Sequence, residues 1–258
     1  MNRIEKVFKK VKAGNKKAFI PYVMAGDPSL ERTAEIVLMF EKCGADIVEL
    51  GVPFTDPLAD GPTIQRAAER ALKAGVTLRK IMGFVKELRH RSQIPLLLMT
   101  YYNPIFKYGE ESFVKDAVDA GVDGVIVPDL PPDEAEGLMT RAGKANFATV
   151  FLLAPTSTED RMKKVAKASK GFIYYVSMTG ITGSRLLLDN SLRESLSALR
   201  RITDKPVSIG FGVSNPEEAG SVSGLADGVI VGSAIVKKIN ESAEDLEEFV
   251  SELRRAIK

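Results

Sequence analysis

A single repeat limits what this chain can fold into: a short run rich in Val, Ile and Leu, a turn, then a stretch with apolar residues three and four apart. The runs are Ala18 to Met24, Asp46 to Leu50, Ile94 to Thr100, Gly124 to Val127, Ala148 to Leu153, Gly171 to Val176, Val207 to Ile209 and Gly228 to Val231. Most are apolar throughout rather than alternating, which marks strands covered on both faces, as in a parallel sheet. The stretches between them, such as Leu30 to Lys42, Glu111 to Ala120, Asp133 to Lys144 and Ser191 to Ile202, carry helical spacing, while Tyr101-Tyr102-Asn103-Pro104 reads as a loop. Strand–helix units repeated eight times predict an α/β fold closed as a single (β/α)8 TIM barrel over residues 1–258. An open doubly wound sheet is the competing architecture. The segment Met1 to Lys12, with Ile4, Val7, Phe8 and Val11 at helical spacing, adds an extra N-terminal helix.

The barrel reading has a functional corollary, because active sites of such barrels lie at the C-terminal ends of the strands. Glu49, Tyr101, Asp129, Tyr174, Gly212 and Gly232 are all placed there. Of the eight strand ends, the second is the most informative: Asp46-Ile47-Val48-Glu49-Leu50 stops at Gly51-Val52-Pro53, and a loop rich in Pro and Asp runs to Asp60-Gly61-Pro62. A helical stripe of Ile64, Ala67, Ala68, Ala71 and Leu72 follows. A carboxylate thus stands at each end of the loop. A buried carboxylate is either paired or has a raised pKa and a job, whereas a structural ion pair for Glu49 and a helix N-cap or solvated loop residue for Asp60 are the bland alternatives.

Several function classes fall away on composition. The 36 basic and 34 acidic residues are dispersed and leave a net charge of +2, so there is no electrostatic footprint for nucleic acid or an anionic membrane. No apolar run suggests a signal peptide or a membrane span, and the one cysteine cannot form an internal disulfide; a cytoplasmic location is the expectation. Cys43 reads as a small buried packing residue in its helix, and His90, in a charged helical stretch, as a surface residue. One histidine removes Ser-His-Asp, Cys-His and His-rich metal sites, so proton transfer falls to carboxylates, Tyr or Lys.

Two glycine turns, Gly210-Phe211-Gly212 and Gly232-Ser233-Ala234, follow the last two strands. In barrels, these loops and a helix N-terminus form a phosphate site, because backbone N–H groups freed by small residues converge on an anion. The stretch Thr179-Gly180-Ile181-Thr182-Gly183-Ser184, with Arg185 after it, has the composition of a mobile lid that excludes water on closure.

The stretch Glu49-Leu50-Gly51-Val52-Pro53-Phe54, with Asp56-Pro57-Leu58-Ala59-Asp60-Gly61-Pro62, resembles the signature of the tryptophan synthase α subunit family. Gly26-Asp27-Pro28, Thr182-Gly183, Gly210-Phe211-Gly212 and Val231-Gly232-Ser233 follow in the family's order over nearly the whole chain. The resemblance implies retro-aldol cleavage of indole-3-glycerol phosphate to indole and glyceraldehyde 3-phosphate. By the same resemblance Glu49 is the general acid/base and Asp60 accepts a hydrogen bond from the indole N–H. Tyr174 lies near the reacting glycerol, and Thr182 orients Asp60. Gly183, Gly212, Gly232 and Ser233 hold the phosphate, and Tyr22, Met99, Tyr101, Pro128 and Phe211 line the indole pocket. The family often has Phe where this chain has Tyr22 and Ala where it has Pro128.

The resemblance further implies no cofactor in this chain and a pyridoxal-phosphate-dependent β subunit as partner in an α2β2 assembly, facing residues 53–60 and Asn103-Pro104. Two other readings compete: a barrel isomerase or aldolase acting on a sugar phosphate, and a non-catalytic subunit that only activates its β partner.

Overall fold

In a computed structural model of the chain, residues 1–176, 190–210, 212–241 and 243–258 are described. The strands are β1 (Ala18–Met24), β2 (Val48–Gly51), β3 (Leu96–Met99), β4 (Gly124–Ile126), β5 (Ala148–Val150), β6 (Leu152–Leu153), β7 (Ile173–Val176), β8 (Val207–Gly210) and β9 (Gly228–Val231). All pair in parallel, in the order β5-β4-β3-β2-β1-β9-β8-β7-β6. Strands β5 and β6 belong to one run interrupted only at Phe151, so β4 and β7 flank that run and the sheet comes round on itself. The expected eight strands are therefore present, one of them broken in two.

Helices return the chain between strands, and their buried faces pack on the outside of the sheet. Residue parity sorts the strands: within β1, Phe19 and Val23 face the helices while Ala18 and Ile20 face the interior. The interior cluster also holds Ile47, Leu97, Ile126, Ala148, Val150, Phe172, Tyr174 and Ile230. Its lower layer is built from small residues. A β-carbon on Gly124 would lie 2.6 Å from that of Ala148, so only glycine fits there.

The N-terminal helix Arg3–Ala13 fills the space those small residues leave. Its start is fixed by a capping box, with Asn2 accepting from the Glu5 amide at 2.9 Å and Glu5 accepting from the Asn2 amide at 3.0 Å. Ile4, Phe8 and Val11 join the interior cluster, and the Phe8 and Phe172 rings stand 5.3 Å apart. The strands' N-terminal end is thereby plugged with apolar side chains.

Three local expectations need correction. Residues 101–104 read as a loop, but Tyr102–Tyr108 is a helix. Its first amide is taken by the Asp129 carboxylate at 2.9 Å, a partner supplied from the next strand end and invisible in local sequence. The helix expected from Asp133 starts at Glu136, after turns at 132–134. Cys43 is half-buried rather than buried: it caps the helix Leu30–Lys42, and its Sγ accepts from the Ser251 hydroxyl at 3.3 Å. His90 is exposed, as expected. Among the described residues no helix is long and apolar enough to cross a membrane.

Candidate active site

Glu49 shares the inward face of its strand with Ile47 and ends up 1 % exposed. Among the described residues its Oε1 has no hydrogen-bond partner, and no charged group there offsets the effect of burial on its carboxyl. No described residue supplies the partner that a structural ion pair would need. Burial alone pushes the Glu49 carboxyl from its ordinary 4.5 up to about 8, so the group is mainly protonated at neutral pH.

The loop after β2 folds back over the barrel mouth. Phe54 packs on Tyr101 with ring centroids 5.3 Å apart, and the Ala59 amide donates to the Tyr101 hydroxyl at 2.9 Å. Asp60 follows directly, and its carbonyl accepts from Gln65 Nε2 at 2.9 Å. The helix Pro62–Lys73 is capped by Gly61 with no side-chain hydrogen bond, so Asp60 does not serve as its cap. Burial raises the Asp60 carboxyl from 3.8 to about 6, the Tyr101 hydroxyl partly opposing the rise. Two carboxyl groups over one chamber are therefore held on either side of neutrality, one protonated and the other ionised.

Two tyrosines complete the chamber. Tyr22 is the register partner of Glu49, and its hydroxyl occupies the place a side chain on Gly51 would take, 2.0 Å from such a β-carbon. Tyr174 lies likewise across Gly210, where an added β-carbon would lie 2.3 Å from its hydroxyl. Both phenols are raised well above their ordinary range, first by burial and then by the negative charges of Glu49 and Asp60, which places all four groups within electrostatic reach of one another. Tyr101 is raised too, by burial and then by Asp60. Met99, register partner of Gly51, and Pro128 at the end of β4 are half-buried at the same rim.

The glycine turns lie at the ends of the neighbouring strands β8 and β9. Gly212 has φ +82°, a conformation that favours glycine, and is exposed. Gly232 leads into the helix Ser233–Glu241 and accepts from the Val236 amide at 3.0 Å, leaving the amides of the first turn directed outward beside exposed Ser233. Thr182, Gly183 and Phe211, together with the rest of the expected lid, lie outside the described residues.

The structure thus brings together Glu49, Asp60, Tyr22, Tyr101, Tyr174 and Met99, with Pro128 at the edge and Gly212, Gly232 and Ser233 on the adjoining strand ends. Sequence reasoning missed Gly51 and Gly210 as clearance for the two phenols; a glycine closing an apolar strand was their only signal. It placed Asp129 at the mouth, but the structure employs that residue to anchor a helix. Among the described residues no three His, Cys, Asp or Glu cluster as metal ligands.

This geometry defines a parallel α/β barrel with two buried carboxyl groups of raised pKa at its strand ends. Residues 8–258 match the model of the tryptophan synthase alpha chain family, and the chain belongs to that family. The tryptophan synthase alpha chain of Geotalea daltonii is 49% identical over 259 residues, covering 100% of this chain and 98% of the relative. That of Geobacter sulfurreducens is 48% identical, covering 100% and 99%. Among solved structures, tryptophan synthase subunit alpha from Legionella pneumophila superposes with a TM-score of 0.90 at 40% identity, covering 100% and 98%. A chain of the aminoacrylate-bound tryptophan synthase of M. tuberculosis does so with a TM-score of 0.91 at 34% identity, covering 100% of both.

Proposed function

We propose that the chain cleaves indole-3-glycerol phosphate to indole and glyceraldehyde 3-phosphate, as the α subunit of tryptophan synthase. The observation that carries the reading is the separation of the two carboxyl groups: Glu49 near 8, Asp60 near 6, facing one chamber. Cleaving the bond between indole C3 and the glycerol carbon requires a proton delivered to C3, so that the ring accepts the bonding electrons. It also requires removal of the proton from the hydroxyl of the carbon that becomes the aldehyde. A single group can do both in sequence. Protonated Glu49 gives its proton to C3; the resulting carboxylate takes the hydroxyl proton as the C–C bond breaks, and Glu49 is restored.

Protonation at C3 leaves positive charge on the ring. Ionised Asp60, accepting from the ring N–H, stabilises that charge where it develops. Tyr174 is assigned to the glycerol side of the chamber, and Tyr22, Met99, Tyr101, Pro128 and Phe211 to the ring pocket. Gly212, Gly232, Ser233 and Gly183 are assigned to the phosphate, and Thr182 to orienting Asp60. The pyridoxal-phosphate chemistry belongs to a β partner that receives the indole. Leu58, 92 % exposed on the loop after β2, and Phe106, 67 % exposed on the helix Tyr102–Tyr108, support an interface at this rim.

The test is indole release from indole-3-glycerol phosphate by the purified chain, alone and with a β subunit. Glu49→Gln is expected to lower single-turnover cleavage by about 10² or more with substrate affinity largely kept. Near-normal cleavage by that variant would remove Glu49 from the mechanism.

A further inference from the structure

A carboxylate outside the chamber ties together the two helices on which its halves depend. Asp27 is 1 % exposed, in the turn after β1. Arg70 grips it with both prongs, Nε to Oδ1 and Nη2 to Oδ2, each at 2.8 Å. Asn240 Nδ2 donates to the same Oδ2 at 3.2 Å and to the Val236 carbonyl at 2.9 Å. The turn is itself fixed: the Gly26 amide donates to Thr33 Oγ1 at 3.0 Å, and that hydroxyl donates to the Ser29 carbonyl at 2.7 Å.

Arg70 belongs to the helix Pro62–Lys73, which starts two residues after Asp60 and lies about 12 Å below that start at 1.5 Å per residue. Asn240 belongs to the helix Ser233–Glu241, which opens at the glycine turn assigned to phosphate. The first helix has a buried face of Ile64, Ala67, Ala68 and Ala71, mostly methyl groups that interlock weakly, and no side-chain cap. Its position along and about its axis therefore rests on polar ties, and the bidentate fork to Asp27 is the most directional of them. Gln65, one turn in, carries that position to the Asp60 backbone.

We propose that Asp27 is a positioning residue for the cleavage reaction, setting the spacing between the Asp60 loop and the phosphate turn by holding Arg70 and Asn240 at once. The inference rests on the function proposed above. Only a ligand that reaches both halves senses this spacing, because remote binding of the phosphate orients the ring only when the two anchor points are correctly separated.

The test compares the full-length chain with Asp27→Ala and the milder Asn240→Ala, which removes one of the three hydrogen bonds to Asp27 at an exposed helix end. Two probes are titrated: inorganic phosphate, which needs one half only, and a non-cleavable indole-propyl phosphate, which needs both. Asp27→Ala is expected to weaken the bridging probe 10-fold or more, to lower kcat for indole-3-glycerol phosphate, and to change phosphate affinity less than 2-fold. Asn240→Ala is expected to move the same quantities in the same direction by a smaller factor. Equal losses for both probes, the mark of general destabilisation, or no loss for the bridging probe overturns the inference while wild-type cleavage stands. A wild-type chain that neither cleaves the substrate nor binds the bridging probe overturns the proposed function and this inference with it.

Discussion

Replacing Glu49 with Gln removes a charge the fold disfavours, so the variant should be more stable than the wild type by an amount that grows with pH. The folded pKa is about 8 and the ordinary value is 4.5. Because the folded value is raised, the folded state binds the proton more tightly than the unfolded chain does. Stability is fully present below pH 4.5, declines as pH rises and levels off above 8. Gln mimics the protonated carboxyl in shape and stays neutral throughout. With 1.36 kcal/mol per pKa unit, the variant gains little at pH 4.5, roughly 1 kcal/mol at pH 5, and about 3 kcal/mol at pH 7, approaching 5 kcal/mol beyond pH 8.5. Glu49 is fully buried, so no discount for solvent screening applies. For a chain of this size about 3 kcal/mol corresponds to roughly 6–12 °C in Tm. The assay is thermal unfolding of wild type and Glu49→Gln from pH 5 to 9 with every other condition matched. A Tm difference that stays constant across that range would refute the reasoning, because it would mean that Glu49 is not held protonated by its surroundings.

The same pair of values predicts a bell-shaped kcat/KM. Activity should rise through about pH 6 as Asp60 ionises and fall through about pH 8 as Glu49 loses its proton, and Asp60→Asn should lower the rate and abolish the acidic limb. Gly210→Ala should lower kcat at least 10-fold and cost about 1–3 kcal/mol in an unfolding titration, since its methyl group would displace the Tyr174 phenol. Ser208→Ala should leave Tm unchanged or raise it: Ser208 is fully buried, its Oγ has no partner among the described residues, and removing an unsatisfied hydroxyl is worth about 1 kcal/mol.

Strand order and the position of Glu49 could be read from sequence because both follow from periodicity. Two-sided burial leaves apolar runs, and a charge inside such a run stands out. The helix at Tyr102–Tyr108 could not, because the Asp129 carboxylate that supports its first turn lies 27 residues away. The roles of Gly51 and Gly210 were hidden for a related reason: each glycine matters through a phenol that reaches it from a neighbouring strand. The Asp27–Arg70–Asn240 tie joins residues 43 and 213 positions apart. Local patterns report what a residue does to its own element, while cross-strand and cross-helix contacts appear only once the barrel is closed.

The chemistry at the mouth depends on packing at the opposite end. Glu49 holds its proton because water is excluded from below as well as from the sides, and the exclusion starts with residues that carry no function themselves. Ile20, Ile47, Leu97 and Ile230 fill the interior, and under them the small residues leave room that Ile4, Phe8 and Val11 occupy. A parallel barrel open at its N-terminal end would let water approach the interior layer beneath Glu49, and its pKa would fall toward the ordinary carboxyl value. The group would then be ionised at neutral pH and would lack the proton that the proposed cleavage requires. Asp60 shows the contrast within the same chamber: on a half-exposed loop, with the Tyr101 hydroxyl beside it, its carboxyl rises only to about 6 and keeps its charge. The difference between the protonated and the ionised carboxyl is thus set by depth, one residue in a strand and the other on the loop that follows it.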